Sequence, residues 1–140
     1  MTAAVRGTGR VLVDGVAEGE LLVCTRAISG WGGIDPGTGA IVETSHPQRG
    51  AILAGKVVVM PGAKGSSGWS GQFHIAKLQG TAPAAIMTET INSKLALGLA
   101  VLGVPALIDI DPSVREHLLD GRWARIEHET LTVWSEGEQI

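Results

Sequence analysis

The segment Pro61-Gly62-Ala63-Lys64-Gly65-Ser66-Ser67-Gly68 follows an apolar run, Lys56-Val57-Val58-Val59-Met60, and precedes a stretch with helical spacing. That arrangement suits anion binding and proton transfer. Ligands of α/β sheets collect beyond the carboxyl ends of the strands. Glycines let a backbone approach a ligand closely and adopt positive φ. The first turn of a helix offers free N–H groups and a partial positive charge. Lys64 adds a full positive charge, and Ser66 and Ser67 bring hydroxyls to the same segment. A serine hydroxyl is a poor base at neutral pH, so its alkoxide needs stabilisation. A helix N-terminus beside a lysine supplies it. A serine in this position also caps a helix, and on pattern alone capping outweighs catalysis. The segment is not a nucleotide P-loop, because Gly-Lys-Ser/Thr does not fall at the required offset.

Other reactive side chains form no comparable group. His46, His74, His117 and His128 lack metal-ligand spacing. His74 lies just after the serine segment and reads as an exposed or satisfied helix residue. Asp35, in Gly-Gly-Ile-Asp-Pro-Gly, reads as a turn former bonded to its own backbone. Asp109 and Asp111 are candidates for a cation, but Asp111 before Pro112 is the better helix cap. Cys24 is the one cysteine. It sits in Leu21-Leu22-Val23-Cys24, reads as a small buried hydrophobe, and cannot alone hold zinc or an iron–sulfur cluster. No Ser/His/Asp triad follows from spacing, because triads are spatial.

The elements that must position the segment follow from pattern. Val11–Val13 and Glu20–Thr25 read as strands on either side of an Asp14-Gly15 turn. Ala27 to Gly39 is dense in Gly, Pro and Asp and fits no regular element. A short strand leaves it at Ala40–Glu43, and His46-Pro47 to Gly50 marks a turn. Lys56–Met60 suits a strand buried on both faces. The spacing predicts a helix from Trp69 to about Leu78, stopped by Gly80. A strand at Ala84–Thr88, an Asn92-capped helix over Ser93–Leu102 and a strand at Val104–Ile108 follow. A helix from Pro112 to Leu119 and a hairpin of Trp123–Glu127 with Thr130–Trp134 close the pattern. The result is a small parallel βαβαβ core with β-rich flanks.

The bulk numbers fit this picture. A length of 140 residues suits one domain spanning 1–140 and can bury a core without disulfides. Hydrophobic residues make up 44% and charged residues 18%, which requires a sheet covered on both faces or a partner covering one. The net charge of −3, without a basic cluster, and four Trp, one Phe and no Tyr disfavour nucleic-acid binding. No run is long enough to cross a membrane and the N-terminus lacks a signal-peptide pattern, so a cytoplasmic location is expected.

Four segments together resemble one family. Trp31-Gly32-Gly33-Ile34-Asp35-Pro36-Gly37-Thr38-Gly39-Ala40-Ile41 is similar to a W/L-G-G-V-D-P-x-T-G-x-I signature. His46-Pro47 with Gly55-Lys56-Val57-Val58-Val59-Met60-Pro61, Lys64-Gly65-Ser66-Ser67, and Gly80-Thr81-Ala82-Pro83-Ala84-Ala85-Ile86 match its other stretches in order. The resemblance is to the aconitase X swivelling domain and runs from about Gly7 to Ile108. Gly30 before Trp31, and Gly62-Ala63 before Lys64, depart from the usual pattern and bear on substrate fit.

The resemblance implies an α/β fold of the swivelling β/β/α type, with a small central parallel sheet, flanking helices and additional β-hairpins. It implies a hydro-lyase that works only with a large aconitase-X catalytic subunit. An iron–sulfur cluster or iron would be bound by that subunit and not by this chain, acting as a Lewis acid on the departing hydroxyl. Ser66 would be the general base, and Lys64, Gly65 and Ser67 would bind substrate. The substrate would be a small hydroxy acid. Composition and the single nearby lysine favour cis-3-hydroxy-L-proline over phosphomevalonate. A non-catalytic swivel or interaction module is the reading from another class. The Ser29–Gly39 segment is open to two roles, as a substrate or partner contact and as a scaffold turn.

Overall fold

Val57 and Val58 are both buried, yet they belong to hydrophobic clusters on opposite faces of one strand. Successive side chains alternate across a strand, so the chain must cover both faces. A computed structural model, which describes residues 4–29, 34–35, 37–43, 46–64 and 69–134, gives the means by which it does so. In chain order the elements are β1 (Ala4–Thr8), β2 (Arg10–Val13), β3 (Val16–Val23), β4 (Ile28–Ser29), β5 (Ile34–Asp35), β6 (Ala40–Ile41), β7 (Val57–Met60) and β8 (Ala63–Lys64). Then come α1 (Trp69–Gln79), β9 (Ala85–Thr88), α2 (Ser93–Leu102), β10 (Ala106–Ile108), α3 (Pro112–Arg115), β11 (Trp123–Glu127) and β12 (Thr130–Trp134).

Eight of these strands form one sheet in the order β1-β12-β11-β3-β7-β9-β10-β2. Strand β3 joins its two halves. Val16–Glu20 pairs antiparallel with β11, and Leu21–Val23 pairs parallel with β7. Strands β7, β9 and β10 continue the parallel ladder, as the βαβαβ pattern predicts. One face carries Leu22, Val58, Met60 and Ile86 against Phe73 of α1 and Leu95, Leu99 and Leu102 of α2. The other carries Leu21, Val57, Ala85 and Met87 with Val114 of α3, Leu118 and the terminal hairpin. Burying a side chain of this size contributes about 1.5–3 kcal/mol.

Helix α2 begins and ends where the sequence predicts. The Asn92 side-chain oxygen accepts the Leu95 amide at 2.8 Å, and Gly103 closes the helix at φ 74°. The last helix is shorter than predicted. Asp111 caps it by accepting the Ser113 amide at 3.0 Å, but the α-helix stops at Arg115 instead of Leu119. Beyond it the chain tightens into i→i−3 bonds, His117 to Val114 and Leu118 to Arg115. That path buries Leu118 and brings the Asp120 carboxylate to the Val23 amide at 2.8 Å. Two further differences lie in short strands. Ala4–Thr8 is an edge strand paired with β12, and the predicted loop from Ala27 to Gly39 contains β4 and β5.

Candidate functional site at the carboxyl edge of the parallel sheet

The chain leaves β7 at Met60 and enters the Gly/Ser segment through Pro61 and Gly62. Two neighbours fix this exit. The first is the turn after β9. Met60 O accepts the Glu89 amide at 3.1 Å, and Pro61 O accepts the Thr90 amide at 3.0 Å and the Thr90 hydroxyl at 2.9 Å. The Thr88 hydroxyl, on a buried side chain, donates to Thr90 O at 2.7 Å. Gly62 is buried against this turn, and a methyl group there would overlap Thr90 Oγ1. Only glycine fits so close an approach.

The second neighbour is the arm after β3. Strand β4 pairs parallel with β8, with Ile28 opposite Ala63 and Ser29 opposite Lys64. The arm is itself anchored. Ile28 is fully buried. His46 is buried; its Nε2–H donates to Arg26 O at 3.0 Å while Nδ1 accepts the Gln48 amide at 3.0 Å. Accepting at Nδ1 fixes the tautomer. Gln48 in turn accepts the Thr25 amide at 3.1 Å. His46 is therefore a stitch between the arm and the 46–50 turn.

Lys64 is placed here by its backbone, at the end of β8, whereas Gly65, Ser66 and Ser67 lie outside the described residues. In chain order they fall between β8 and α1. Trp31 to Gly33 and Pro36 also lie outside the described residues. The described part of that signature is a hairpin. Ile34 pairs with Ile41, both buried, and the Asp35 carboxylate accepts the Gly37 amide at 2.9 Å and the Thr38 hydroxyl at 3.1 Å. Asp35 is the turn former its sequence predicts.

The remaining candidates have structural duties. His74 is exposed on α1. Asp109, at φ 55°, borders a small cavity on the α3 side of the sheet edge and pairs with Arg10 at 3.1 Å. Arg115, on the same cavity, donates to Ile110 O at 3.0 Å. Cys24 is buried, and burial pushes its thiol up to about 11, with the Asp120 carboxylate adding to the rise. A neutral buried thiol does not ligate metal. Among the described residues no group of His, Cys, Asp and Glu is placed to hold a metal ion. The described residues therefore do not fit the iron group that the resemblance implies. No helix among them is long and apolar enough to cross a membrane. Thr88 and Thr90 were not singled out in the sequence. Their signal was two hydroxyls, one on the last residue of a predicted parallel strand and one two residues beyond it.

A parallel sheet layered between helices, an antiparallel extension sharing one strand, and an exit from β7 pinned through Pro61 to Lys64 define a swivelling β/β/α domain. Residues 6–133 match the aconitase X swivel domain, and the chain belongs to that family. It is 36% identical over 121 residues to the phosphomevalonate dehydratase small subunit of Pyrococcus furiosus, covering 86% of this chain and 88% of the relative. It is 39% identical over 105 residues to the protein of the same name from Thermococcus onnurineus, covering 75% and 81%. Its fold matches the crystal structure of Thermococcus kodakaraensis aconitase X in its holo-form. The TM-score is 0.84 at 30% identity, covering 92% of this chain and 98% of that one.

Proposed function

We propose that this chain, acting as a single domain over residues 1–140, is the small subunit of a two-subunit hydro-lyase that dehydrates phosphomevalonate. The observation that carries the reading is the likeness to phosphomevalonate dehydratase small subunits over most of both chains. It displaces the preference for cis-3-hydroxy-L-proline. That preference rested on composition, which describes no site, and on one lysine, whereas cations for a phosphate can also come from a partner. Exposed Ile75, Leu78 and Leu97 on the outer helices support a partner subunit.

In this proposal Ser66 is the general base. The C–H proton passes to the Ser66 Oγ alkoxide, the neighbouring C–O bond breaks with its electron pair on oxygen, and a C=C bond forms; the hydroxide then takes the proton back from Ser66 Oγ–H, which releases one water and restores the alkoxide. Lys64, Gly65 and Ser67 bind the substrate's anionic group and stabilise the alkoxide. The β4–β8 ladder and the Thr90 contact support this, because both fix the backbone that enters the segment. The family's iron–sulfur cluster or iron would be held by the large subunit. A cytoplasmic location belongs to the same proposal.

The test is to co-purify the chain with its large subunit and measure water loss from phosphomevalonate and from cis-3-hydroxy-L-proline. Turnover of phosphomevalonate alone is expected. Turnover of the proline alone restores the other substrate. Turnover of neither by an intact, metal-loaded complex sinks both.

A further inference from the structure

We propose that Thr90 is a positioning residue for the serine base, acting through the Pro61 carbonyl. The inference rests on the reading of Ser66 given above and adds a residue to it.

Pro61 is the last residue before the Gly62–Gly68 segment, and its carbonyl accepts two bonds from the same residue. One comes from the Thr90 amide at 3.0 Å and the other from the Thr90 hydroxyl at 2.9 Å. Any residue but proline supplies the amide bond. Only a hydroxyl-bearing or similarly polar side chain supplies the second. Thr90 is exposed, so its hydroxyl does not need this partner to escape a burial penalty. The bond therefore acts on the geometry of Pro61 more than on stability.

Thr90 is in turn held. Its carbonyl accepts the Thr88 hydroxyl at 2.7 Å, and Thr88 belongs to the buried sheet. The chain Thr88–Thr90–Pro61 thus transmits the position of β9 to the exit of β7. Gly62 completes the latch, because the absent side chain lets its backbone lie against Thr90 Oγ1. Two residues later Ala63–Lys64 is locked to Ile28–Ser29. Ser66 is reached two residues beyond Lys64. An error at Pro61 is carried toward the base, and misplacement of a reacting group by about 1 Å costs on the order of 100-fold in rate.

The experiment uses the assembled two-subunit enzyme with phosphomevalonate. Thr90→Val keeps the branched shape, removes the donor and sets a methyl against the Pro61 carbonyl. It is expected to lower kcat by about tenfold or more, with KM little changed. Thr90→Ser, which keeps the donor, is expected to restore most of the rate. Placed on Ser66→Ala, Thr90→Val is expected to cause no further loss, because the group it positions is gone. Amide exchange on the small chain gives a second readout. Ala63 and Lys64 are expected to exchange faster in Thr90→Val and at the wild-type rate in Thr90→Ser. Wild-type kcat in Thr90→Val, failure of Thr90→Ser to restore the rate, or full loss on the Ser66→Ala background overturns the proposal. A fully active Ser66→Ala enzyme instead removes the base assignment. The exchange rates then decide whether the latch exists, and unchanged exchange at Ala63 and Lys64 removes it too.

Discussion

Ser29 stands directly opposite Lys64 in the parallel ladder between β4 and β8. The ladder ties the arm that follows β3 to the strand that delivers the Gly/Ser segment. Its neighbouring pair, Ile28 with Ala63, sinks the ladder into the core, because Ile28 is fully buried alongside Met60 and Phe73. Ile28→Ala should destabilise the chain by about 2–5 kcal/mol. It should also lower turnover by more than the loss of folded protein explains. Denaturant unfolding and turnover at equal folded concentration measure the two effects. Normal turnover per folded molecule would show that the ladder does not matter to the site.

His46 carries a distinct expectation. Its ring bonds both Arg26 O and the Gln48 amide, so His46→Ala leaves two part-buried backbone groups without that partner. The expected cost is about 1–3 kcal/mol, seen as a lower midpoint in urea with unchanged m-value. Metal content of the assembled enzyme should not change. A variant of normal stability that loses metal would make His46 a ligand and reverse this assignment.

The terminal hairpin contains a pH-dependent contact. His128, at φ 57° in the β11–β12 turn, donates from Nδ1 to Asp14 at 2.8 Å. That hydrogen bond raises the His128 pKa above 6.5 and holds Asp14 below 3.8. The stabilisation from His128 is present below its unfolded pKa and is lost as pH rises through the raised folded value. The Asp14 part is present above its unfolded pKa and is lost as pH falls through the lowered one. An NMR titration should place the imidazole midpoint above 6.5 in the wild type and closer to 6.5 in Asp14→Asn. A wild-type midpoint at or below 6.5 contradicts the pairing.

Much of this frame was legible in the residues. The run Val57–Met60 announced a strand covered on both faces, and Asn92 and Gly103 announced both ends of α2. What escaped depends on distant partners. The end of α3 is set by Asp120 reaching Val23, which no local pattern contains. Strand β1 mixes Arg6 and Gly7 into five residues and is a strand because β12 lies beside it. Strands β4 and β8 have two residues each, too few for any period to show. The Gly/Ser segment was legible as an anion-binding turn from physics. Its serine became a base only through family resemblance, since a cap and a base share the same local pattern.

The most direct test of the account is the turnover of Ser66→Ala in complex with the large subunit on phosphomevalonate. Loss of a general base predicts a fall in kcat of about 100-fold to 10,000-fold, with assembly and metal content intact. Undiminished turnover by that complex would remove Ser66 from the chemistry and leave the segment a helix cap.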